Sequence, residues 1–406
     1  MPTHTAAVRK RHVFYIAGFD PKGPGHYHAL YRSEARKQCE VSGMDIETGA
    51  RRNDGPSSSS WTVHAREAGH EVQTHYEFLR WDDIVRAHWL RAGPRLIMAT
   101  LRTSCGALAN GALWRMLVLS WPPCVALLAP PLLVAALIVF TLLVVLATVL
   151  TIASGAATPG RAALLVLAAA GTASAVIAAR HAWHRWHMGW LMASHTFTAG
   201  QARSLSPGLD RRLDDWAGAI AAAVNSGDAD EVLVVAHSSG TLLALTAMAR
   251  VLPRLAGPAA GSTALSLMTL GQCLPMLSAR PESGWFRSEI RQVALAPRVE
   301  WIDFSAPPDS CCFALVDPLD DAAGSASAGS GRNPKLLSPR FAAMFAPQDY
   351  AALRADRFRL HFQYIMSAPL PDAYDYFAIT AGAWTLATRF AGKPSVTDFN
   401  NLKLFR

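Results

Sequence analysis

The sequence predicts an α/β domain whose mostly parallel sheet is flanked by helices and whose chain is interrupted by a two-helix transmembrane hairpin. Two observations carry that expectation. No charged side chain occurs between Arg115 and Arg161. Downstream, a nearly continuous apolar run, a serine-containing turn and an apolar helix follow one another between Glu231 and Leu252, the order of a buried parallel strand and the helix that crosses over from it. Composition agrees: 51% of residues are apolar and 17% charged, against roughly 25% charged in an average soluble chain. The net charge of +8 could suit nucleic acid, but the Arg and Lys residues are scattered and form no aromatic-interleaved basic block, so no nucleic-acid partner is expected. Six cysteines, at 39, 105, 124, 273, 311 and 312, contain no CxxC pair and read as reduced thiols. Arg9 to Arg11 precede only a short apolar run, Val13 to Phe19, too brief for a signal-peptide core.

From the N-terminus, His12 to Phe19 reads as a buried strand entering the loop Asp20-Pro21-Lys22-Gly23. Tyr27 to Val41 has helical spacing. Trp61 to Arg66 and Glu71 to Leu79 alternate as strands around an Ala68-Gly69-His70 turn. His70-Glu71 with His75 superficially matches a metal-binding helix, but the spacing departs from HExxH and the alternation indicates a strand. These elements hold too small a core to stand alone, so they are expected to join the C-terminal half in one sheet.

Leu132 to Ile152 is apolar apart from threonines and, at 1.5 Å per residue, reaches about 31 Å, the thickness of a bilayer's hydrocarbon core. Ala162 to Ala179 is also uncharged but richer in small residues, suited to packing against the first span. Ser154, Gly155, Pro159 and Gly160 supply the turn between them. Pro122, Pro123, Pro130 and Pro131 interrupt the upstream run, so Met116 to Leu128 is expected at the interface or partway into the membrane. Arg95, Arg102, Arg115, Arg180 and Arg185 flank the hairpin, whereas its loop has only Arg161. Both soluble parts should therefore be cytoplasmic, on an inner or plasma membrane. Trp183, Trp186 and Trp190 fit an aromatic belt. His181, His184 and His187 read as juxtamembrane decoration rather than a metal site. The expected division is 1–112 and 191–406 as two parts of one domain, with 113–190 as the hairpin and its juxtamembrane helix.

Beyond the hairpin, Ser206-Pro207 starts a helix that Asn225-Ser226-Gly227 ends. Glu231 to Ala236 follows as a strand, His237-Ser238-Ser239-Gly240 as a sharp turn, and Thr241 to Leu252 as a helix stopped by Pro253. Strand, tight serine turn and helix are the context that a nucleophile elbow requires. Its small flanking residues, here Ala236 and Gly240, let the two backbones approach.

Ala236-His237-Ser238-Ser239-Gly240 resembles the Gly-x-Ser-x-Gly elbow of α/β-hydrolase lipases and esterases, with Ala in the first place. The resemblance covers the soluble segments, roughly 12–90 and 205–390, and implies Ser238 as nucleophile. It also implies the chain order Ser, acid, His. His361, in Phe358 to Tyr364, is the sole histidine after Ser238 and so becomes the base. The family's acid lies in a loop after a late strand. Val299 to Ser305 reads as that strand and Asp309 is the preferred acid, with Asp303 and Asp317 open. Family position implies an oxyanion hole built from the backbone N–H of Ser239 and that of Gly18 or Phe19. Ala322 to Gly331 is expected to be a flexible surface loop.

The expected function is hydrolysis of an ester or thioester through an acyl-enzyme, without metal or cofactor. The expected partners are the bilayer and a small-molecule or lipid acyl-ester substrate; the substrate's identity and the oligomeric state are not encoded legibly. Acyl transfer and a catalytically silent, hydrolase-like membrane module are the rival expectations.

Overall fold

The computed structural model describes residues 7–89, 93–153, 159–257, 263–319 and 333–396. The expected turn at Ser154 and Gly155 and the run Ala322 to Gly331 lie outside them. Nine described strands, β1 (Lys10–Ile16), β2 (Asp45–Thr48), β3 (Arg52–Asn53), β4 (Ser58–Glu67), β5 (His70–Leu79), β6 (Glu231–His237), β7 (Ala264–Leu270), β8 (Val299–Phe304) and β9 (Lys335–Leu337), form one mixed sheet. Its order is β2-β4-β5-β1-β6-β7-β8-β9, with β3 on β4. The run from β5 to β9 is parallel throughout, and the β2, β3 and β4 pairings are antiparallel. β1 pairs with β5 on one side and β6 on the other. The segments before and after the apolar insertion therefore share one sheet and lie on the same side of any membrane the hairpin spans.

The sheet is covered on both faces, which is why its central strands read as unbroken apolar runs. On one face Phe14, Ile16, Val234 and Leu267 pack against α8 (Pro207–Ser226), α9 (Gly240–Val251) and α11 (Gly284–Ala294). On the other, Tyr15, Val235, Met268 and Phe304 meet α1 (Pro24–Ser42) and the C-terminal helices. Those are α12 (Pro347–Ala355), α13 (Arg357–Phe362), α14 (Tyr376–Ala381) and α15 (Leu386–Arg389); the short α10 (Pro275–Ser278) follows β7. Arg11 and Glu231, paired at 2.8 Å, are both fully buried. Arg11 also donates to the carbonyls of Gly382 and Trp384, and Glu231 accepts from Ser266 and the Leu386 amide, so the ion pair's remaining polar sites are satisfied.

Between β5 and β6 run α2 (Asp82–His88), α3 (Pro94–Ala109), α4 (Ala112–Leu119), α5 (Trp121–Ala153), α6 (Pro159–Arg185) and α7 (Met188–Gly200). α5 and α6 contain two stretches, Trp121–Ala153 and Ala162–Arg185, long and apolar enough to cross a membrane. α5 is one helix through all four prolines. Pro122 and Pro123 occupy its first turn, where no intrahelical N–H is needed. Pro130 and Pro131 lie inside it, which removes the donors to the carbonyls four residues earlier, those of Ala126 and Leu127.

Burial divides α5 at this point. Its buried residues are Pro123, Cys124, Ala126, Leu127, Pro130 and Pro131, and none follows. Leu113 and Met116 on α4 join Cys124 and Leu127 in a cluster with Cys273, Met276 and Phe313. The segment expected at the interface, Met116 to Leu128, thus packs largely on the soluble domain: its apolar side chains find protein partners at the C-terminal end of β7.

Candidate active site

Parallel strands deliver the loops after their C-terminal ends to one edge of the sheet, where α/β folds collect functional groups. Four such loops, after β1, β6, β7 and β8, and two helices that pack over them, meet here. Between β6 and α9, Ser238 takes φ +57°, a left-handed conformation that costs a non-glycine residue about 1–2 kcal/mol. The Ser238 amide donates to the Leu270 carbonyl at 2.9 Å, and the Ser238 carbonyl accepts from the Thr241 hydroxyl at 2.7 Å. These bonds hold the strained turn. A methyl group on Gly240 would lie 2.5 Å from the Ala17 carbonyl oxygen and 2.6 Å from that of Ile16, so the close approach inferred from the small residue is real.

The loop after β8 brings Asp309, and α13 brings His361. His361 Nδ1 and Asp309 Oδ2 are 2.8 Å apart and both side chains are fully buried. Asp309 also accepts from the Cys311 amide at 2.9 Å and the Tyr364 hydroxyl at 3.2 Å. Burial alone would raise its pKa; the charge of His361 and the hydrogen bonds from His361 and the Cys311 amide outweigh burial and hold the carboxyl below its usual range. Asp303 and Asp317 are engaged elsewhere. Asp303, inside β8, accepts from Thr269 and Ser305 at 2.7 Å each, and burial lifts its pKa to about 7. Asp317 accepts from the Leu319 amide.

His361 Nε2, the other ring nitrogen, is buried without a hydrogen-bond partner. Leaving such a group unpaired costs about 1–3 kcal/mol. No hydrogen bond joins it to Ser238, whose Oγ instead lies 3.9 Å from Cys273 Sγ. Burial pushes the Cys273 thiol up to about 12, so it stays protonated and is no rival nucleophile near neutrality.

Of the expected oxyanion donors, Phe19 is committed otherwise: its amide donates to Ser239 Oγ at 2.8 Å. The hydroxyl beside the nucleophile captures the donor that position alone assigned to the hole. Gly18 lies against the nucleophile, since a methyl group there would sit 2.9 Å from Ser238 Cβ and 3.3 Å from its Oγ. Ser239 immediately precedes α9, whose first amides lack intrahelical acceptors.

Three contributors escaped sequence reasoning. His237 donates Nε2–H to the His361 carbonyl at 2.8 Å; burial, then the nearby His361, lowers its pKa to about 3, so it is neutral and fixed as that tautomer. Its place inside the elbow was the available signal. Tyr364 bridges Asp309 and the Ala306 amide, with no signal beyond its nearness to His361. Trp190, expected in a membrane belt, instead bonds the Phe19 carbonyl at 2.6 Å and lies 6.0 Å from the His361 ring. Asp309, Cys311 and His361 are near enough together to hold a metal ion, as are His12, His75 and Glu77 on the sheet. In the first group burial keeps the Cys311 thiol protonated, which disfavours ligation.

No family model, curated protein or solved structure matches the chain. The geometry offers a strained serine, an imidazole oriented by a carboxylate, and backbone amides at a helix start, a set able to perform nucleophilic acyl chemistry.

Proposed function

We propose that the protein is a membrane-anchored serine hydrolase of the α/β-hydrolase kind, which cleaves an ester or thioester through an acyl-enzyme. In this reading Ser238 Oγ attacks the acyl carbon as His361 Nε2 takes its proton. Asp309 orients the ring and stabilises the imidazolium. The amides of Ser239 and Gly18 stabilise the oxyanion. The imidazolium then protonates the leaving alkoxide or thiolate, and water, deprotonated by the same nitrogen, releases the acid and restores Ser238. The observation that carries the reading is the buried His361 ring, bonded to Asp309 through one nitrogen and unpartnered at the other. A hydrogen bond between serine and base that forms only with substrate is common for such sites. The arginines flanking the hairpin support a cytoplasmic domain, with a lipid-like acyl ester among the candidate substrates.

The missing bond between Ser238 and His361 favours a second reading, a catalytically silent binding module. A fluorophosphonate probe separates the two. The hydrolase reading expects covalent labelling of the full-length protein that vanishes in Ser238→Ala; a wild-type protein that folds yet takes no label would leave the silent module standing.

A further inference from the structure

Beside Ser238 lies a narrow space bounded by Ser238, Cys273 and Phe313 on the domain side and by Ala126, Leu127 and Trp190 on α5 and α7. No charged side chain lines it. A second, wider space adjoins it past Ala129 and Pro130 of α5, with Met188 and Phe358 opposite. Ala126, Trp190, Leu191, Ser310 and Cys311 border both. The two spaces are therefore neighbours along one wall, and α5 runs the length of it.

The outer space ends where α5 stops being buried, at Pro130 and Pro131. From there to Ala153 the same helix is apolar and has no buried residue, and α6 beside it shows none among its described side chains. Arg185, at the end of the second candidate span, and Arg357 on α13 are the cations at this outer space, the level at which a span meets headgroups. A water-soluble ester has no use for a passage that is uncharged at its inner end beside Ser238 and has its cations only at its outer end, near the two long apolar helices. A long hydrocarbon chain does.

We infer that this passage holds the acyl chain of a bilayer-embedded ester or thioester, its carbonyl at Ser238 and its tail leading back along α5 to the membrane, with Ala126 and Ala129 setting the chain length accepted. The inference rests on the hydrolase reading and adds the substrate class and the residues that select it. Ala126 borders both spaces and Ala129 only the outer one. They stand three residues apart on α5, about 4.5 Å along its axis, so bulk at the two positions blocks the passage at two depths. Each methylene moved from water into the passage should raise kcat/KM about fourfold.

The test uses full-length protein in detergent micelles with p-nitrophenyl esters from acetyl to palmitoyl, beside labelling by a short-chain fluorophosphonate. Wild type should favour the longer chains. Ala126→Trp should lower the ratio of kcat/KM for palmitoyl to that for acetyl about tenfold or more. Ala129→Trp, at a half-buried position, should move the optimum to fewer carbons lost than Ala126→Trp does. Retained labelling in each variant reports an intact nucleophile turn. A flat chain-length profile in labelled wild-type protein overturns the inference and leaves the hydrolase reading intact. So does a profile that neither substitution shifts. Absence of both labelling and turnover in wild type defeats the hydrolase reading itself, and the passage with it.

Discussion

Asp309 meets His361 through one carboxylate oxygen and the Cys311 amide through the other, so its replacement by Asn has a definite consequence. The Asn oxygen can keep the Cys311 bond only by turning its NH₂ toward His361 Nδ1, which must then accept. The proton moves to Nε2, the atom that receives the serine proton in the hydrolase reading. Asp309→Asn should therefore leave the fold and thermal stability close to wild type while lowering kcat about 10³–10⁴-fold, measured with a short-chain ester. Asp303→Asn, which replaces a carboxylate that shares no bond with His361, should leave the kcat for that ester within about threefold, because its oxygens serve Thr269 and Ser305. At this scale the sequence was legible where chain order narrows the choice: one histidine follows Ser238, and Asp309, the preferred partner among three candidates, meets it from the loop after β8. It was silent where a residue acts through three-dimensional packing. Trp190 reads as a belt residue because spacing along a helix cannot reveal that its indole N–H reaches the Phe19 carbonyl, 171 positions away.

Among the elements, those with strong periodicity or caps were readable and those with neither were not. α8 starts and stops at Pro207 and Ser226, as its proline and glycine signals require, and the β4–β5 turn puts Ala68 and Gly69 at positive φ. β7 and β9 gave no such warning. β9 is a three-residue strand held by its register on β8, which no local pattern specifies. α5 runs unbroken through the prolines expected to interrupt it, and its first turns pack on Met276 and Phe313, a contact no local pattern announces. β8 carries a testable cost of its own. Burial raises Asp303 from its ordinary 3.8 to about 7, so the folded state binds this proton more tightly than the unfolded chain does. The stabilisation is fully present below about pH 4 and is lost as pH rises through 7, by at most about 4 kcal/mol. Asp303→Asn cannot titrate. Thermal unfolding in detergent should then show wild type losing stability between pH 5 and pH 8 relative to the variant; parallel curves would mean that Asp303 ionises freely in the fold.

For the molecule as a whole, the decisive boundary is that between the part of the insertion that packs into the domain and the part that is long and apolar enough to cross a membrane. Burial along α5 ends at Pro131 and resumes at Met188 in α7. Pro130 and Trp186 border the same space, so the two cut ends would lie near each other. Replacing 133–181 by a short Gly/Ser linker should thus give a protein that no longer sediments with membranes, stays in solution without detergent, and still takes the fluorophosphonate label. Removing 113–190 should not: it strips Leu113, Met116, Cys124 and Leu127 from the cluster around Phe313 and takes Trp190 from beside His361. Burying side chains of that size contributes about 1.5–3 kcal/mol each, as much together as the whole margin of an ordinary domain. Sedimentation and labelling of the two deletions side by side make the distinction. If the shorter deletion aggregates and loses its label as the longer one does, the spans are part of the core rather than an anchor, and the helices would have to be packed against protein where they are now apolar and exposed.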